Sequence, residues 1–550
     1  MNSNKKGQNL LVGALVLLIS NMLVKVIGAI FRIPMYNMLG DGMAYFNAAY
    51  NFYVTIYLVS TAGIPVAISR MVASAEAQGK YRESKRILRV ALVLFASVGF
   101  AAMSVMLIFA KPYAARIGIP ESYLSMYAIA PTLFFICISS TFRGYYQGKK
   151  NMTLSAFAQV IEALAKLVVG MLAVYIFMPK KELHETAAYA ICGVTIGVVL
   201  SLVFALAFHL REKKYDVIPE ADTGTLRGKR SILRELALIC VPIAVSSCVT
   251  GLTSFVDNNL IVTGLTDAGV ANDTAISLFG AYTSIVVPLF NMPPVLITPL
   301  AISLLPNLTE VYAAGNREKA ESVINSAFRV ASLIAFPCAF GMACVPGGII
   351  RSLFDAELIS GTSISNCEAT AGALSIVSVS IFFLAMIAIT NSVLQAWHKE
   401  YLPIVSSICG ILVKWIVEYA LLRIPDIGIN GAAFSTLYCH FTILLMNMIF
   451  TVKHTGYFPK ISKIFIKPFV SAALCGLGAL GTYSLLEKIT YGMFSGAWSA
   501  RICLVGAVGV AAVIYIVMLS LLKGFVQEDM MMLPKGKKIC SLLRKVKAMK

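Results

Sequence analysis

The chain has 550 residues, of which 58% are hydrophobic and 13% charged, with a mean hydropathy of +0.80, which leaves too little polar surface to cover a water-soluble globule. The formal charge of +19 sits mainly in short connectors on alternate sides of apolar stretches, the positive-inside pattern of a polytopic membrane protein. No basic stripe interleaved with aromatics lies outside those loops, so nucleic acid is excluded as a partner.

The apolar stretches, each near the ~20 residues that cross a bilayer as helix, predict an all-α polytopic membrane protein of about fourteen spans. The first six lie near 9–34, 44–70, 88–110, 122–146, 153–178 and 187–210. Lys5 and Lys6 ahead of an apolar run also describe a signal peptide. The run continues past Lys25 to Arg32 without a small-residue cleavage site, however, so its retention is expected. A polar connector over 211–233 separates an N-lobe (1–210) from a C-lobe (234–455). The C-lobe spans are expected near 235–263, 276–305, 326–349, 369–396, 402–423 and 430–452. A C-terminal helix pair (456–525), with spans near 468–487 and 499–522, and a basic tail (526–550) complete the chain. Basic clusters at both ends and at the even-numbered connectors place both termini in the cytoplasm and the protein in the plasma membrane.

The two lobes repeat. Ala67-Ile68-Ser69 leads to Gly79-Lys80-Tyr81-Arg82-Glu83, and Ala301-Ile302-Ser303 leads to Gly315-Asn316-Arg317-Glu318. Gln147 precedes Lys166 by nineteen residues, and Gln395 precedes Lys414 by nineteen. Six spans per copy give both lobes one orientation, an arrangement suited to alternating access about a midplane site.

Charge within apolar spans is costly and marks substrate or ion paths. In the first span Lys25 and Arg32 share a helix face, as a pair snorkelling to an interface or as an anion site to which arginine brings a planar fork of donors. Arg32 precedes Pro34, where the helix is expected to be disturbed. Arg70 and Arg143 sit at span ends, where positive-inside placement alone accounts for them; they are weaker members of the same anion site. Glu162 with Lys166, and Lys414 with Glu418, are spaced four apart, so each pair meets on one helix face. Each is read either as a structural pair or as a cavity wall that contacts substrate or a coupling ion. Asp257, followed by Asn258 and Asn259, is the clearest acidic residue in an apolar stretch of the C-lobe and could bind a cation or an arginine. Pro288, Pro293 and Pro294 predict a bend in the eighth span. The twelve cysteines lie almost all in apolar stretches, as at Cys137, Cys240, Cys338 and Cys475, with no C-x-x-C spacing, and read as buried hydrophobes. No Walker, H-E-x-x-H or G-x-S-x-G motif appears, so no catalytic or metal site is expected.

The stretch G-A-I-F-R-I-P-M-Y-N-M-L-G-D-G from Gly28, S-T-A-G-I-P-V-A-I-S-R from Ser60, F-R-G-Y-Y-Q-G from Phe142, Q-V-I-E-A-L-A-K from Gln159 and P-L-F-N-M-P-P-V-L-I-T-P-L-A-I-S-L-L-P from Pro288 resemble the stage V sporulation protein B-like polysaccharide exporters. These belong to the multidrug/oligosaccharidyl-lipid/polysaccharide exporter superfamily, in the branch with the lipid II flippases. The resemblance covers nearly the whole chain. It implies two six-helix lobes around a central cavity, a final helix pair forming a groove for a lipid tail, and movement of undecaprenyl-pyrophosphate-linked glycans, lipid II first, from the inner to the outer leaflet. Lys25 matches a basic position of the family's first span, and Arg32 lies within one residue of another. The eighth span has Ser284-Ile285-Val286-Val287 where the Gram-negative flippases carry an arginine, so the cationic cluster is distributed differently. The implied partners are the undecaprenyl-linked glycan lipid, membrane lipids and cell-wall synthases, with the chain as a monomer. No cofactor is implied; a monovalent cation gradient or the membrane potential would drive the cycle, with Asp257 or Glu162 as candidate ion ligands. The alternatives are export of a teichoic-acid, capsule or spore-cortex precursor, and a multidrug cation antiporter, whose cargo calls for an acidic cavity. A membrane enzyme or a non-transporting scaffold forms a third class.

Overall fold

The computed structural model describes residues 2–215, 227–313, 317–355, 358–457, 459, 461–490, 496–522 and 524. In chain order the helices are α1 (Asn2–Leu39), α2 (Gly42–Thr61), α3 (Ile64–Ala77), α4 (Tyr81–Arg116), α5 (Tyr123–Gly148), α6 (Thr153–Phe177), α7 (Leu183–Tyr215) and α8 (Lys229–Asp267). They continue with α9 (Asn272–Ala281), α10 (Val287–Asn291), α11 (Pro294–Ala313), α12 (Arg317–Cys344), α13 (Pro346–Leu353), α14 (Asn366–Ser378) and α15 (Ser380–Ala396). The last are α16 (Tyr401–Leu421), α17 (Asn430–Thr455), α18 (Ile461–Thr490) and α19 (Gly496–Leu521). Among the described residues there is no β-strand beyond one isolated bridge between Leu358 and Ser365. The protein is thus all-α and polytopic, with thirteen segments among the described residues long and apolar enough to span a membrane. The expected seventh span falls on α8, 39 residues long, several of whose side chains lie outside the described set.

Contacts divide the chain into two compact units, 1–262 and 263–550. The division falls inside α8, whereas the sequence places the lobe boundary at the connector. That connector is shorter than expected, since α7 continues to Tyr215 and α8 begins at Lys229. The tail over 526–550 lies outside the described residues.

Three expected spans are built differently from their hydropathy. The first does not stop at Pro34 but runs through it to Leu39, because the rest of the helix ladder outweighs the single bond a proline removes. The second is broken into α2 and α3 at Ala62-Gly63. There the backbone closes on α8 so tightly that a Cβ on Gly63 would lie 2.7 Å from Cys240 Cα, and Pro65 starts the new helix. The eighth is α9, a π-helical turn over Tyr282–Val286, α10 and α11. Pro288 sits in the first turn of α10, where the wider π turn just before it accommodates a ring that would press on the preceding turn of an α-helix. Pro293 lies at the bend and Pro294 opens α11.

In the first unit, α3 and α5 meet through the Gly144-x-x-x-Gly148 pair. A Cβ on Gly144 would lie 2.9 Å from Pro65 Cα, and one on Gly148 2.8 Å from the Ser69 carbonyl. Small residues at this spacing let two membrane helices approach to backbone contact without a hydrophobic driving force. The core there contains Ile68, Met71, Ile87, Phe95 and Tyr145. In the second unit α18 and α19 pack on one another around Cys475, Ala479, Cys503 and Ala507. They join the unit through Phe465 and Phe469 against Phe336 and a Tyr515 hydroxyl bond to the Leu333 carbonyl at 2.9 Å.

Arg227, at the end of the connector, ties the start of α4 to α8 by ion-pairing with buried Glu83 and, at 2.6 Å, with Glu235. The hydrogen bond that the guanidinium donates to Glu83 holds it above its ordinary pKa, so Arg227 stays charged at every working pH. Arg227→Ala is expected to cost about 1–3 kcal/mol, because the Glu83 carboxylate keeps its burial and loses its donor. Thermal unfolding of the detergent-solubilised variant checks this. Adding Glu83→Gln should recover part of the loss; equal melting of Arg227→Ala and the parent would show that the clasp carries no stability.

Candidate functional site

The first unit brings together α1, α2, α5, α6 and α7 around the charged residues of the fifth span. Two glycines of α7 make this possible: a Cβ on Gly193 would lie 2.7 Å from Gly170 N, and one on Gly197 2.7 Å from the Glu162 carbonyl. With α6 and α7 in backbone contact, Ser201, one turn beyond Gly197, reaches the α5 side of α6.

Arg143, from α5, is buried there. Its Nη2 donates to Glu162 Oε2 at 2.6 Å and to Ser201 Oγ at 3.0 Å, while its buried Nε has no hydrogen-bond partner among the described residues. Glu162 therefore pairs across helices with Arg143, not along its own helix with Lys166 as the four-residue spacing suggests. Lys166 is directed onto aromatic faces, its Nζ 4.6 Å from the centroid of Tyr50 and 4.9 Å from that of Phe31, a favourable placement for a cation. Arg32, half-buried on α1, lies within electrostatic range of the same Tyr50.

Along α2 the rings form a ladder: Phe46–Tyr50, Tyr50–Tyr53 and Tyr53–Tyr57 centroids are 6.1, 5.9 and 5.7 Å apart. Tyr53 and Tyr57 are within electrostatic range of Glu162. The result is three cations, Arg32, Arg143 and Lys166, with one carboxylate, set against tyrosine faces. The Glu162 side chain is 31% exposed and Arg143 10%. The ladder escaped the sequence reading, although its three- and four-residue spacing in an apolar span was a usable signal.

The corresponding pair in the second unit is closed. Lys414 Nζ and Glu418 Oε2, both on α16, are 3.9 Å apart, with side chains 2% and 0% exposed. Lys414 donates to Thr436 Oγ1 at 3.0 Å, and Ser435 Oγ donates to Glu418 Oε2 at 2.8 Å. Here the four-residue spacing does produce the pair.

The remaining charged candidates lie elsewhere. Lys25 is exposed on α1 and Arg70 exposed on α3; among the described residues neither joins the Arg143 cluster. Asp257 is buried in α8 within the first unit, although the sequence puts it in the C-lobe. Its neighbours build a polar knot: Asn258 Nδ2 donates to the Ala48 carbonyl at 3.2 Å and to Tyr113 Oη at 3.0 Å, and Asn259 Nδ2 to Tyr113 Oη at 3.2 Å. Tyr113 in turn stacks on Phe52 at 4.1 Å. Tyr113 was not singled out from the sequence, because it lies beyond the apolar stretch expected for its span.

Residues 10–311 match the family described as polysaccharide biosynthesis protein. Among curated proteins of Bacillus subtilis (strain 168), the chain is 26% identical to stage V sporulation protein B over 539 residues, covering 96% of this chain and 98% of that protein. It is 23% identical to the lipid II flippase MurJ over 525 residues, covering 92% and 94%. Among solved structures, the lipid II flippase MurJ in an inward closed conformation superposes with a TM-score of 0.66 at 12% identity, covering 92% of this chain and 98% of that one. An inward-facing multidrug resistance transporter of the same superfamily reaches 0.59 at 15% identity, covering 78% and 98%. The chain belongs to the polysaccharide biosynthesis protein family and has the two-unit helical fold of the multidrug/oligosaccharidyl-lipid/polysaccharide exporter superfamily.

Proposed function

We propose that this protein is a flippase that moves an undecaprenyl-pyrophosphate-linked glycan precursor, lipid II first among them, from the inner to the outer leaflet by alternating access. The observation that carries the reading is the asymmetry of the repeat. The charged position of the second unit is sealed as a neutral pair, whereas that of the first stays partly open and, among the described residues, holds Arg143 paired with Glu162 beside Lys166 and Arg32. An excess of cations beside aromatic faces suits a pyrophosphate joined to sugar: guanidinium and ammonium groups take the phosphate oxygens, and ring faces take the apolar faces of the sugar. The relationship to a lipid II flippase and the match to the polysaccharide biosynthesis protein family support the same cargo class. A multidrug cation antiporter would need the opposite charge balance, and the one carboxylate here is already paired with Arg143.

Expression in cells depleted of their own lipid II flippase is expected to restore growth and outer-leaflet exposure of lipid II. In that setting Lys166→Gln and Arg32→Gln together should lower flipping at least about tenfold, the loss expected when charge-assisted contacts to phosphate are removed. Unchanged flipping by well-expressed double variant would rule out this cluster as the anion site. Failure of the parent protein to restore lipid II exposure, despite membrane expression, would exclude lipid II and move the assignment to another undecaprenyl-linked glycan. The coupling energy we assign to the membrane potential or a monovalent cation gradient, with Glu162 and Asp257 as the carboxylates to neutralise in testing it.

A further inference from the structure

In the second unit, the ends of α11, α12, α15 and α17 enclose a cavity of about 210 Å³ that none of the charged candidates above lines. Its walls combine aromatic rings with one ion pair. Tyr312 of α11 and Trp397, just past α15, meet with ring centroids 5.0 Å apart and planes tilted by 49°, and Tyr457, just past α17, adds a third ring. Arg317 and Glu321, one turn apart on α12, supply the charges.

The local backbone holds these groups in place. Gly456 ends α17 in the left-handed conformation, with φ +67°, which favours glycine. Its missing side chain also leaves room for the guanidinium, since a Cβ there would lie 2.7 Å from Arg317 Nη2. That nitrogen donates to the Gly456 carbonyl at 2.8 Å, and the Tyr457 hydroxyl donates to Asn325 Oδ1 and fixes its ring. Arg317 Nε and Glu321 Oε1 are 3.5 Å apart, long for a charge-assisted bond of about 2.7–2.9 Å. Their side chains are 68% and 35% exposed. Both charges are therefore accessible to a ligand.

The charge balance selects that ligand. A bare cation would gain the ring faces and Glu321 but meet Arg317; a bare anion would gain Arg317 but meet Glu321. A molecule that carries an ammonium and a phosphate a few bonds apart satisfies both, the ammonium beside Glu321 and the rings, the phosphate on the guanidinium. Size and level point to a lipid as its source. The cavity is smaller than the ~300–1,000 Å³ pockets that enclose whole drug-sized ligands, which suits a headgroup whose chains stay outside. Tyrosine and tryptophan at helix ends form the interfacial belt of membrane proteins. Tyr401, four residues past Trp397, is 56% exposed and begins an outward row continued by Val405 at 40%. We propose that this cavity binds the headgroup of a zwitterionic phospholipid, phosphoethanolamine or its N-methylated forms, in the leaflet that the positive-inside pattern assigns to the cytoplasm. Binding is measured without transport, so the proposal stands apart from the flippase reading.

The test uses the full-length protein in phosphatidylglycerol nanodiscs doped with phosphatidylethanolamine, with each bound lipid counted by native mass spectrometry. The parent is expected to retain phosphatidylethanolamine in excess of its share of the bilayer. Trp397→Ala and Glu321→Gln should each weaken that binding about fivefold, the loss expected for one exposed cation–π or charged contact. Glu321→Gln keeps Arg317 on the Gly456 carbonyl, so it should also raise phosphatidylglycerol retention, a reversal that loss of structure would not produce. Glu310→Gln, at an exposed carboxylate of α11, should change neither. Thermal melting identifies the folded variants. A parent without preference for phosphatidylethanolamine, or equal binding of it by the parent and folded Glu321→Gln, would overturn the proposal. Displacement of the lipid by equimolar free phosphoethanolamine would overturn its lipid part and reassign the cavity to a soluble zwitterion; resistance to that displacement supports it.

Discussion

Lys414→Ala is expected to destabilise the protein by about 3–5 kcal/mol, whereas Lys414→Met combined with Glu418→Leu should be near neutral. Both groups on α16 are sealed from solvent. Removing the ammonium leaves a carboxylate that cannot recover water, with the Ser435 hydroxyl still donating to it, the situation in which breaking a buried pair costs most. Removing both charges eliminates the desolvation penalty together with the attraction. The two hydroxyls are not stranded, because Ser435 Oγ and Thr436 Oγ1 are also 2.8 and 3.0 Å from the Ala432 carbonyl and can donate there. Thermal and denaturant unfolding in detergent, on the single and double variants, measures the difference. A single variant as stable as the parent would show that the pair is solvated and that the second unit is not sealed. If the double variant also retains flipping, the closed pair serves structure and the open cluster of the first unit serves transport.

Gly197→Val should cost about 3 kcal/mol or more and reduce flipping at the same time. A Cβ there meets the Glu162 carbonyl at 2.7 Å, and a backbone atom cannot rotate away as a side chain can, so α7 must move off α6. That movement carries Ser201 away from Arg143 and opens the Glu162 pair. Gly509→Ala in α19 is the matched control. Nothing lies within 4 Å of the added Cβ, and alanine in a helix should stabilise by about 0.5–1 kcal/mol. Melting temperature and lipid exposure, read on both variants, distinguish a general loss of helix packing from a local one. A Gly197→Val protein with parental stability and flipping would mean that the close approach of α6 and α7 is dispensable.

The division of labour between the repeats follows from a small chemical difference. Counting by the spacing that relates Lys166 to Lys414, Arg143 stands opposite Asn391 and Glu162 opposite Gly410. Asn391 accepts a neutral bond from Asn447 at 2.7 Å. A Cβ on Gly410 would lie 2.4 Å from Ile443 Cγ1, so α16 and α17 close where the first unit holds a carboxylate. The second unit carries its acid about two turns further along the helix, at Glu418, where it satisfies Lys414 on the same helix. The first does not, and its lysine turns to Tyr50 and Phe31.

Hydropathy alone determined that the chain is a bundle of membrane helices, because a bilayer requires long apolar segments whose backbones satisfy themselves. Self-comparison showed the repeat, and the matched glutamine–lysine spacing identified α6 and α16 as its charged helices. The four-residue rule succeeded for Lys414 and Glu418 because both partners lie on one helix, where spacing in sequence is distance in space. It misdirected Glu162, whose strongest partner, Arg143, lies on α5. Which helix faces which is set by glycine contacts such as Gly197 on Glu162, and these have no signature in the spacing of charges. The break at Gly63 and the placement of Asp257 in the first unit were likewise decided in three dimensions. Each depends on what a neighbouring helix presents, and a one-dimensional pattern records only what a helix presents to itself.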